Sequence, residues 1–300
     1  EIKSATDNPT RAEPLKVCGW RIVRMFRDAL LPGRCPGCGA WVPAIELTRP
    51  PKRIVGAGTY DCTGSAETAQ CQHAVVDTLH AAGLSGLKAM LCRNCRQQVV
   101  FIESPLCSVC GRVFDGRESA DHRCGDCIRQ TKNFGCARSA VIYTPGFRKV
   151  VHQYKYRGRL QLAAPLGDLL LAAFLRFFNS GDMDLILPVP LHRDRFRQRG
   201  FNQAYRLMTN WKHVESSLAP TPRLLVKTRA TPPQAGLGKS QRKRNIRGSF
   251  DVQRPAAVRY RRILLVDDVY TTGATADECA RVLMRCGAAR VDVLTLARAV

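Results

Sequence analysis

A chain of 300 residues can form two modest domains, and its 45% hydrophobic content is ordinary for a folded protein. The net charge of +23 at pH 7 attracts polyanions such as nucleic acids, phosphorylated metabolites or an anionic membrane face, unless it only reflects an Arg-rich proteome. The longest apolar stretch, Leu160–Phe178, contains Asp168 and Arg176, so no membrane span is expected. No secretory signal is visible, and we therefore expect a cytoplasmic protein.

The N-terminal part of the chain is rich in cysteine. Residues 1–17 are expected to be disordered, and most of the 14 cysteines follow them before residue 137. Eight cysteines form four Cys-x-x-Cys pairs, and without an export signal this spacing favours thiolate metal ligands over disulfides. We therefore predict a zinc-ribbon region over residues 18–136, with an insertion at 39–91.

The spacing of the pairs predicts one or two structural zinc ions. The motifs beginning at Cys107 and Cys124 have the separation of a closed four-thiolate zinc site, with a redox dithiol as the alternative. The motifs beginning at Cys35 and Cys92 are expected to form a second site, although another pairing of the four motifs stays open. The inserted Cys62, Cys71 and His73 are further candidates for that second site. The predicted zinc ligands are Cys35, Cys38, Cys92, Cys95, Cys107, Cys110, Cys124 and Cys127.

From residue 137 onward the sequence alternates between strand and helix patterns. The predicted strands are Ala137–Thr144, Asp184–Val189, Arg223–Lys227, Arg262–Val266 and Val291–Ala297. The predicted helices are Phe147–Tyr156, Leu160–Phe178, Gln203–Ser216, Ser240–Ile246 and Thr275–Cys286. This alternation predicts an α/β domain over 137–300 with a parallel, doubly wound sheet. Ligands of such sheets bind beyond the carboxyl ends of the strands, where we place the loop Pro190–Gly200 and the turn that follows Val266.

The segment Ile263–Thr275 has the composition of a phosphate- and ribose-binding turn. Two adjacent acids, Asp267 and Asp268, can accept hydrogen bonds from paired ribose hydroxyls and are the candidate catalytic residues. Threonine hydroxyls and the backbone N–H groups at the start of the next helix can hold a phosphate, and Gly273 permits close approach. The alternative is an ordinary helix entry capped by threonine. The candidate phosphate and ribose ligands are Val269, Tyr270, Thr271, Thr272, Gly273, Ala274 and Thr275.

Two other phosphate-binding motifs do not match this sequence. Gly236–Ser240 is similar to the end of a P-loop, but the position that requires the first glycine is Pro233. No Gly-x-Gly-x-x-Gly sequence follows a strand, which argues against a dinucleotide-binding fold.

Ile263–Thr275 resembles the phosphoribosyl-diphosphate motif of type I phosphoribosyltransferases. Several further segments resemble the narrower ComF (competence protein F) family, in the same order, and the Cys-x-x-Cys array fits as well. These segments are Tyr154–Arg159, Leu187–His192, Arg199–Gln203 and Thr231–Phe250. The resemblance covers about residues 18–300. It implies a type I phosphoribosyltransferase fold preceded by a small Cys-rich zinc-ribbon domain.

The resemblance also implies roles for three basic segments. It places Val189–Arg195 where the diphosphate leaving group is held, favours an anion-binding role for Lys155, and makes Ala230–Ser249 a mobile hood over the site. The alternatives are a solvated basic loop and, for Lys155, a cation that complements a helix dipole. The candidate anion-binding residues are Lys155, Pro190, His192, Arg193, Arg195, Arg199, Lys239 and Arg242.

Two kinds of function are compatible with this pattern. One is binding of phosphoribosyl diphosphate with Mg²⁺, either for transfer to an acceptor, as in nucleotide salvage, or without turnover. The other is binding of single-stranded DNA during uptake in natural transformation, together with DNA-uptake or recombination proteins, which the family name implies and the charge supports. The two do not exclude each other, and we expect a ComF-type protein that combines them.

Overall fold

The computed structural model describes residues 33–40, 42, 81, 83–115, 120–211, 219–232 and 238–300. In chain order the strands are β1 (Ala137–Ile142), β2 (Leu185–Pro188), β3 (Leu225–Lys227), β4 (Phe250–Val252), β5 (Arg262–Tyr270) and β6 (Arg290–Arg298). The helices are α1 (Arg93–Gln97), α2 (Gly125–Arg129), α3 (Pro145–Tyr156), α4 (Ala163–Phe177), α5 (Arg193–Arg199), α6 (Gln203–Leu207), α7 (Lys239–Ile246), α8 (Pro255–Val258) and α9 (Ala274–Arg285). Residues 83–88 are also helical.

The centre of the fold is a parallel four-stranded sheet in the order β1-β6-β5-β2. Leu187 pairs with Leu265, which in turn pairs with Val293. The run Ile263–Val266 is fully buried, as expected for a parallel strand that is covered on both faces. The sheet confirms the predicted α/β class.

Alternate residues of the central strands enter two separate apolar clusters. Leu264 and Val266 pack with the side chains of α3 and α4, whereas Ile263 and Leu265 pack with those of α9 and with β3 and β4. Side chains on a strand alternate between its faces, so these two clusters lie on opposite sides of the sheet. Elements cover both sides, which confirms the doubly wound arrangement.

Four details differ from the sequence-based expectations. Arg193–Arg199 is a helix rather than part of a loop, because His192 caps its start and Gly200, at a φ of 81°, ends it. Strand β5 continues to Tyr270, so both aspartates lie within the strand. The strand predicted at Arg223–Lys227 is shorter and pairs antiparallel with β4, outside the main sheet. The helix predicted at Gln203–Ser216 ends at Leu207, and residues 212–218 lie outside the described residues.

The cysteine-rich region is joined to the sheet at the edge of β1. The N–H of Ile142 donates to the carbonyl oxygen of Val100, and the N–H of Ile102 donates to that of Ala140, at 2.8 and 3.1 Å. The segment around Phe101 thus pairs antiparallel with β1 and covers an edge that would otherwise expose unpaired backbone groups. The zinc-ribbon region is therefore part of the same folded unit as the sheet.

The expectations for residues 1–17 and for most of the insertion 39–91 fall outside the described residues. Among the described residues, the segment Leu160–Phe177 has the length and hydropathy of a membrane-spanning helix, but 61% of it is buried inside the fold. It contains α4, which buries Leu166, Leu169 and Leu170 in the core.

Candidate functional site

The four Cys-x-x-Cys pairs form two separate clusters. We call Cys35, Cys38, Cys92 and Cys95 the first cluster, and Cys107, Cys110, Cys124 and Cys127 the second cluster. In each cluster the four Sγ atoms lie within 4.8 Å of one another, with neighbouring pairs at 3.5 and 3.7 Å. Zinc with Zn–S bonds of about 2.3 Å places tetrahedral sulfurs roughly 3.8 Å apart. The pairing is the predicted one, and both clusters have the size of a structural zinc site.

Backbone N–H groups point at one sulfur in each cluster. Gly37 and Cys92 donate to Sγ of Cys35, both at 3.4 Å. Cys110 and Cys124 donate to Sγ of Cys107 at 3.4 and 3.3 Å. Burial acts to raise the pKa of the Cys107 thiol, but the backbone N–H groups lower it to about 6. These donors stabilise a thiolate, the form that binds zinc.

The residues next to the second cluster are described, whereas the three inserted candidate ligands are not. Gly111 follows Cys110 with a φ of 69°, as the tight knuckle turn requires. His122 is exposed, stacks on Phe114 with ring centroids 4.0 Å apart, and belongs to neither cluster. Cys62, Cys71 and His73 lie outside the described residues.

The acidic pair lies near the carboxyl end of β5. Successive side chains on a strand alternate, so Asp267 continues the face of Leu265 and Asp268 continues the face of Val266. Asp268 is buried, and its Oδ2 lies 2.5 Å from the Nζ of Lys155 in the last turn of α3. Asp267 is partly exposed. The pair is thus divided between a buried carboxylate that contacts a lysine and a partly exposed one.

Asp267 and Lys155 also interact electrostatically with further cations nearby. Burial raises the pKa of Asp267 to about 6, while Lys155, Lys227 and Arg199 act to lower it. Burial lowers the pKa of Lys155 to about 8, and the carboxylate of Asp267 opposes this shift. Burial likewise lowers the pKa of Lys227 and of Arg199. A cleft that buries several cations around one acid favours an anionic ligand.

The turn after β5 leads directly into α9. Gly273 is the N-cap of α9 and has a φ of 76°, and a Cβ at this position would collide with the Tyr270 hydroxyl. The Tyr270 side chain is buried, so only its backbone can face a ligand. Thr271 is exposed and Thr272 is partly buried. The turn therefore presents hydroxyls and backbone N–H groups at a helix start, as a phosphate site requires.

Two adjoining cavities open between the end of α3 and α5. The larger has a volume of about 470 Å³, and the smaller has about 140 Å³. The larger is lined by Tyr156, His192, Asp194, Arg195, Gln198, Lys227, Ala230 and Thr231. The smaller is lined by Lys155, Tyr156, Gly158, Arg195, Gln198, Arg199 and Phe201. Their walls come from the ends of α3 and β3, from α5 and from the start of the predicted hood.

The described part of the predicted hood is anchored to the body of the protein. The guanidinium of Arg229 donates to the carbonyl oxygens of Asn245 and Arg247 at 3.0 and 2.8 Å. The N–H of Gly248 donates to Oε1 of Glu278 on α9 at 2.6 Å. These bonds hold the C-terminal end of α7 to Arg229 and to α9.

Comparison with known proteins agrees with this architecture. Residues 84–128 match the double zinc ribbon domain family. The chain is 34% identical to DNA utilization protein YhgH of Escherichia coli (strain K12) over 226 residues, covering 69% of this chain and 96% of the relative. The chain belongs to the ComF family. It is also 28% identical to Competence protein F of Haemophilus influenzae over 229 residues, covering 74% and 96% of the two chains. Competence protein ComFC of Bacillus subtilis is 29% identical over 215 residues, covering 69% and 84%.

The ComF fold brings together four of the predicted anion-binding residues, namely Lys155, His192, Arg195 and Arg199, in the walls of the two cavities. Arg193 is exposed and lines neither cavity, and the partly buried Pro190 and Arg242 are also absent from both walls. The side chain of Lys239 lies outside the described residues.

Lys227 and Tyr156 are among the cavity residues of this ComF chain that the sequence analysis does not select. Lys227 ends a short apolar strand immediately before the hood, and a charge in that position is the signal that could have identified it. Tyr156 stands between Lys155 and Arg157, and an aromatic residue between two cations is typical of nucleic-acid contacts. Tyr156 lies inside the segment Tyr154–Arg159, but the anion chemistry by which that segment was interpreted selects Lys155 and not the aromatic ring.

Proposed function

We propose that this ComF protein binds phosphoribosyl diphosphate with Mg²⁺ in the cleft beside Asp267 and Asp268, and that it acts on single-stranded DNA during DNA uptake. The observation that carries the first half is the position of the acidic pair. The pair is followed directly by the Thr-rich start of α9, and Asp268 contacts Lys155, which lines the smaller of two cavities bordered by cations. A phosphorylated ribose with a diphosphate group needs each of these three elements.

Different residues would contact different groups of the proposed ligand. The turn Thr271–Thr275 would hold the 5-phosphate, and Asp267 with Asp268 would hold the ribose hydroxyls, directly or through metal-bound water. His192 and Arg195 would contact the diphosphate. Mg²⁺, when bound, neutralises charge on the diphosphate oxygens. Carboxylate oxygens are the ligands that Mg²⁺ prefers, so the acidic pair fits this ion.

Calorimetric titration with phosphoribosyl diphosphate and Mg²⁺ tests the proposed ligand. We expect saturable binding by the wild type and loss of binding in Asp267→Ala. The matched control is Asp251→Ala, which removes the same charge from an exposed position on β4 and should bind like the wild type. Absence of heat with the wild type, or equal binding by Asp267→Ala, would refute the proposal.

The DNA half of the proposal rests on the relatives and on charge. The relatives are named for competence and for DNA utilization. The net charge of +23 suits a polyanionic partner, and phosphate contacts make affinity fall steeply with salt.

Fluorescence anisotropy with labelled oligo-dT at increasing salt tests the proposed binding of single-stranded DNA. We expect a steep linear decrease of log affinity with log salt. No binding at low salt, or binding without a salt slope, would exclude it.

Active phosphoribosyl transfer to an acceptor, as in nucleotide salvage and without a DNA role, is the second candidate function. The larger cavity favours it, because its volume of about 470 Å³ can hold an acceptor beside the diphosphate residues. Diphosphate release from phosphoribosyl diphosphate, measured with a panel of nucleobases, distinguishes this candidate. Release that depends on both a base and Asp267 would support it, and binding without release would leave the first proposal alone.

A further inference from the structure

Tyr156 is an exposed aromatic side chain that the proposed phosphate chemistry does not use. It is the last residue of α3, directly after Lys155, and 55% of its surface is exposed. Single exposed aromatic residues are common and carry no meaning by themselves. Tyr156 differs because its side chain lines both cavities, of about 470 and 140 Å³.

The ring of Tyr156 is held in a defined position. The guanidinium carbon of Arg199 lies 4.9 Å from the ring centroid, and the ring of His152 lies 4.7 Å away at an interplanar angle of 42°. Both neighbours restrict the ring while more than half of its surface stays open. A restrained aromatic side chain loses little conformational entropy when a flat ligand packs on it.

The other groups around Tyr156 suit a base that carries a phosphate. Gln198 lines both cavities, and its amide offers donors and an acceptor of the kind that base edges require. Arg195 also lines both cavities and can contact a phosphate, whereas an anion alone needs no aromatic wall. The juxtaposition of a fixed ring, an amide and cations is the arrangement with which proteins bind single-stranded nucleic acid.

We propose that Tyr156 is a stacking site for a heterocyclic base, and that the base belongs to single-stranded DNA entering the cleft. This proposal rests on the proposed DNA role and names the part of the cleft that contacts the bases. A free nucleobase has the same chemistry, and the experiment separates the two sources.

The experiment compares oligo-dT with an abasic oligomer of the same length, using anisotropy at low salt. The wild type should bind oligo-dT more tightly than the abasic strand. Tyr156→Ala should weaken oligo-dT binding by about fivefold or more, with little effect on the abasic strand, because stacking involves the base. Tyr156→Phe should retain wild-type affinity. The salt slope should stay the same in all variants, because the ring carries no charge.

Tyr260→Ala is the matched control. Tyr260 is 73% exposed, has the guanidinium of Arg259 at the same 4.9 Å from its ring centroid, and lines neither cavity. This variant should bind both strands like the wild type. If Tyr260→Ala and Tyr156→Ala weaken oligo-dT binding equally, the effect is a general loss of aromatic surface and the proposal fails.

Equilibrium dialysis with adenine and uracil decides the source of the base. Loss of base retention in Tyr156→Ala, with unchanged oligo-dT binding, would retain the stacking site and assign it to a free base. If neither oligo-dT nor free-base binding depends on Tyr156, the stacking site is refuted even where DNA binding itself is present. If the wild type binds neither strand at low salt, the DNA role fails, and the dialysis alone decides the stacking site.

Discussion

The guanidinium of Arg298 donates a hydrogen bond to the backbone carbonyl oxygen of Cys110, at 2.5 Å. Arg298 ends β6, and its guanidinium carbon also lies 4.7 Å from the ring centroid of Tyr270. Tyr270 places its hydroxyl against Gly273, the residue that begins α9. The second cluster is therefore connected to the candidate phosphate turn through two buried side chains. We therefore expect the second cluster to support the candidate phosphate turn mechanically.

Loss of the second zinc site should therefore loosen the turn. We expect Cys124→Ser to lower the bound zinc by one ion and to speed amide hydrogen exchange at residues 271–275. The physical reason is that Arg298 and Tyr270 lose the rigid backbone against which they pack. Zinc content by mass spectrometry and hydrogen exchange measure the two effects.

The first cluster provides the control for this prediction. Cys38→Ser should also remove one zinc ion, but it should leave exchange at residues 271–275 close to the wild-type rate, because Arg298 bonds to Cys110 of the second cluster and not to the first. Equal acceleration by both variants would mean that zinc stabilises the protein only globally.

The contact between Lys155 and Asp268 should contribute strongly to stability. Their side chains are 17% and 5% exposed, and removal of one partner leaves a buried charge unpaired. We expect Lys155→Met to lower the free energy of unfolding by about 3 kcal/mol or more, as measured by urea denaturation. Lys149→Met removes a lysine from an exposed position of the same helix and should cost much less.

The double variant tests whether the pair itself is responsible. Lys155→Met combined with Asp268→Asn removes both charges, so its loss of stability should be clearly smaller than the sum of the two single losses. Additive losses would show that the two groups act independently.

The parts of this fold that the sequence predicts are those encoded in contiguous residues. The Cys-x-x-Cys pairs and the Ile263–Thr275 motif carry their chemistry in fixed local spacing, and the structure confirms the two thiolate clusters. The sequence does not predict helix α5, because five residues of Arg193–Arg199 are charged and Phe196 is its one apolar residue, too few for a periodic pattern. The contact between Lys155 and Asp268 cannot be predicted from the sequence either, because it depends on how α3 packs on the sheet.

Gly273→Ala should disrupt the turn more than an ordinary glycine substitution. Its φ of 76° is the left-handed region, where alanine costs about 1–2 kcal/mol. Its Cβ would also collide with the Tyr270 hydroxyl, so the start of α9 must shift. We expect a lower thermal midpoint and weaker binding of phosphoribosyl diphosphate. Gly181→Ala, where an added Cβ has no neighbour within 4 Å, should change neither quantity measurably.

Asp267 should make the stability of the metal-free protein depend on pH. Burial raises its pKa in the folded state to about 6 from an ordinary value of 3.8, so the folded state holds this proton more tightly than the unfolded state. Its contribution to stability is then fully present below about pH 4 and is lost as the pH rises through about 6. Asp267→Asn cannot titrate.

The variant should therefore gain stability relative to the wild type between pH 4 and 7, by at most about 3 kcal/mol in urea denaturation. Asp251→Asn is the exposed control and should show no comparable gain, and a flat difference for Asp267→Asn would contradict the assignment.

The affinity for phosphoribosyl diphosphate with Mg²⁺ should change with pH in the opposite direction to the stability. Binding requires the ionised carboxylate, so the affinity should rise with pH through about 6 in the wild type. The cost in stability that Asp267 imposes near neutral pH would then be the condition that prepares its carboxylate for the proposed Mg²⁺.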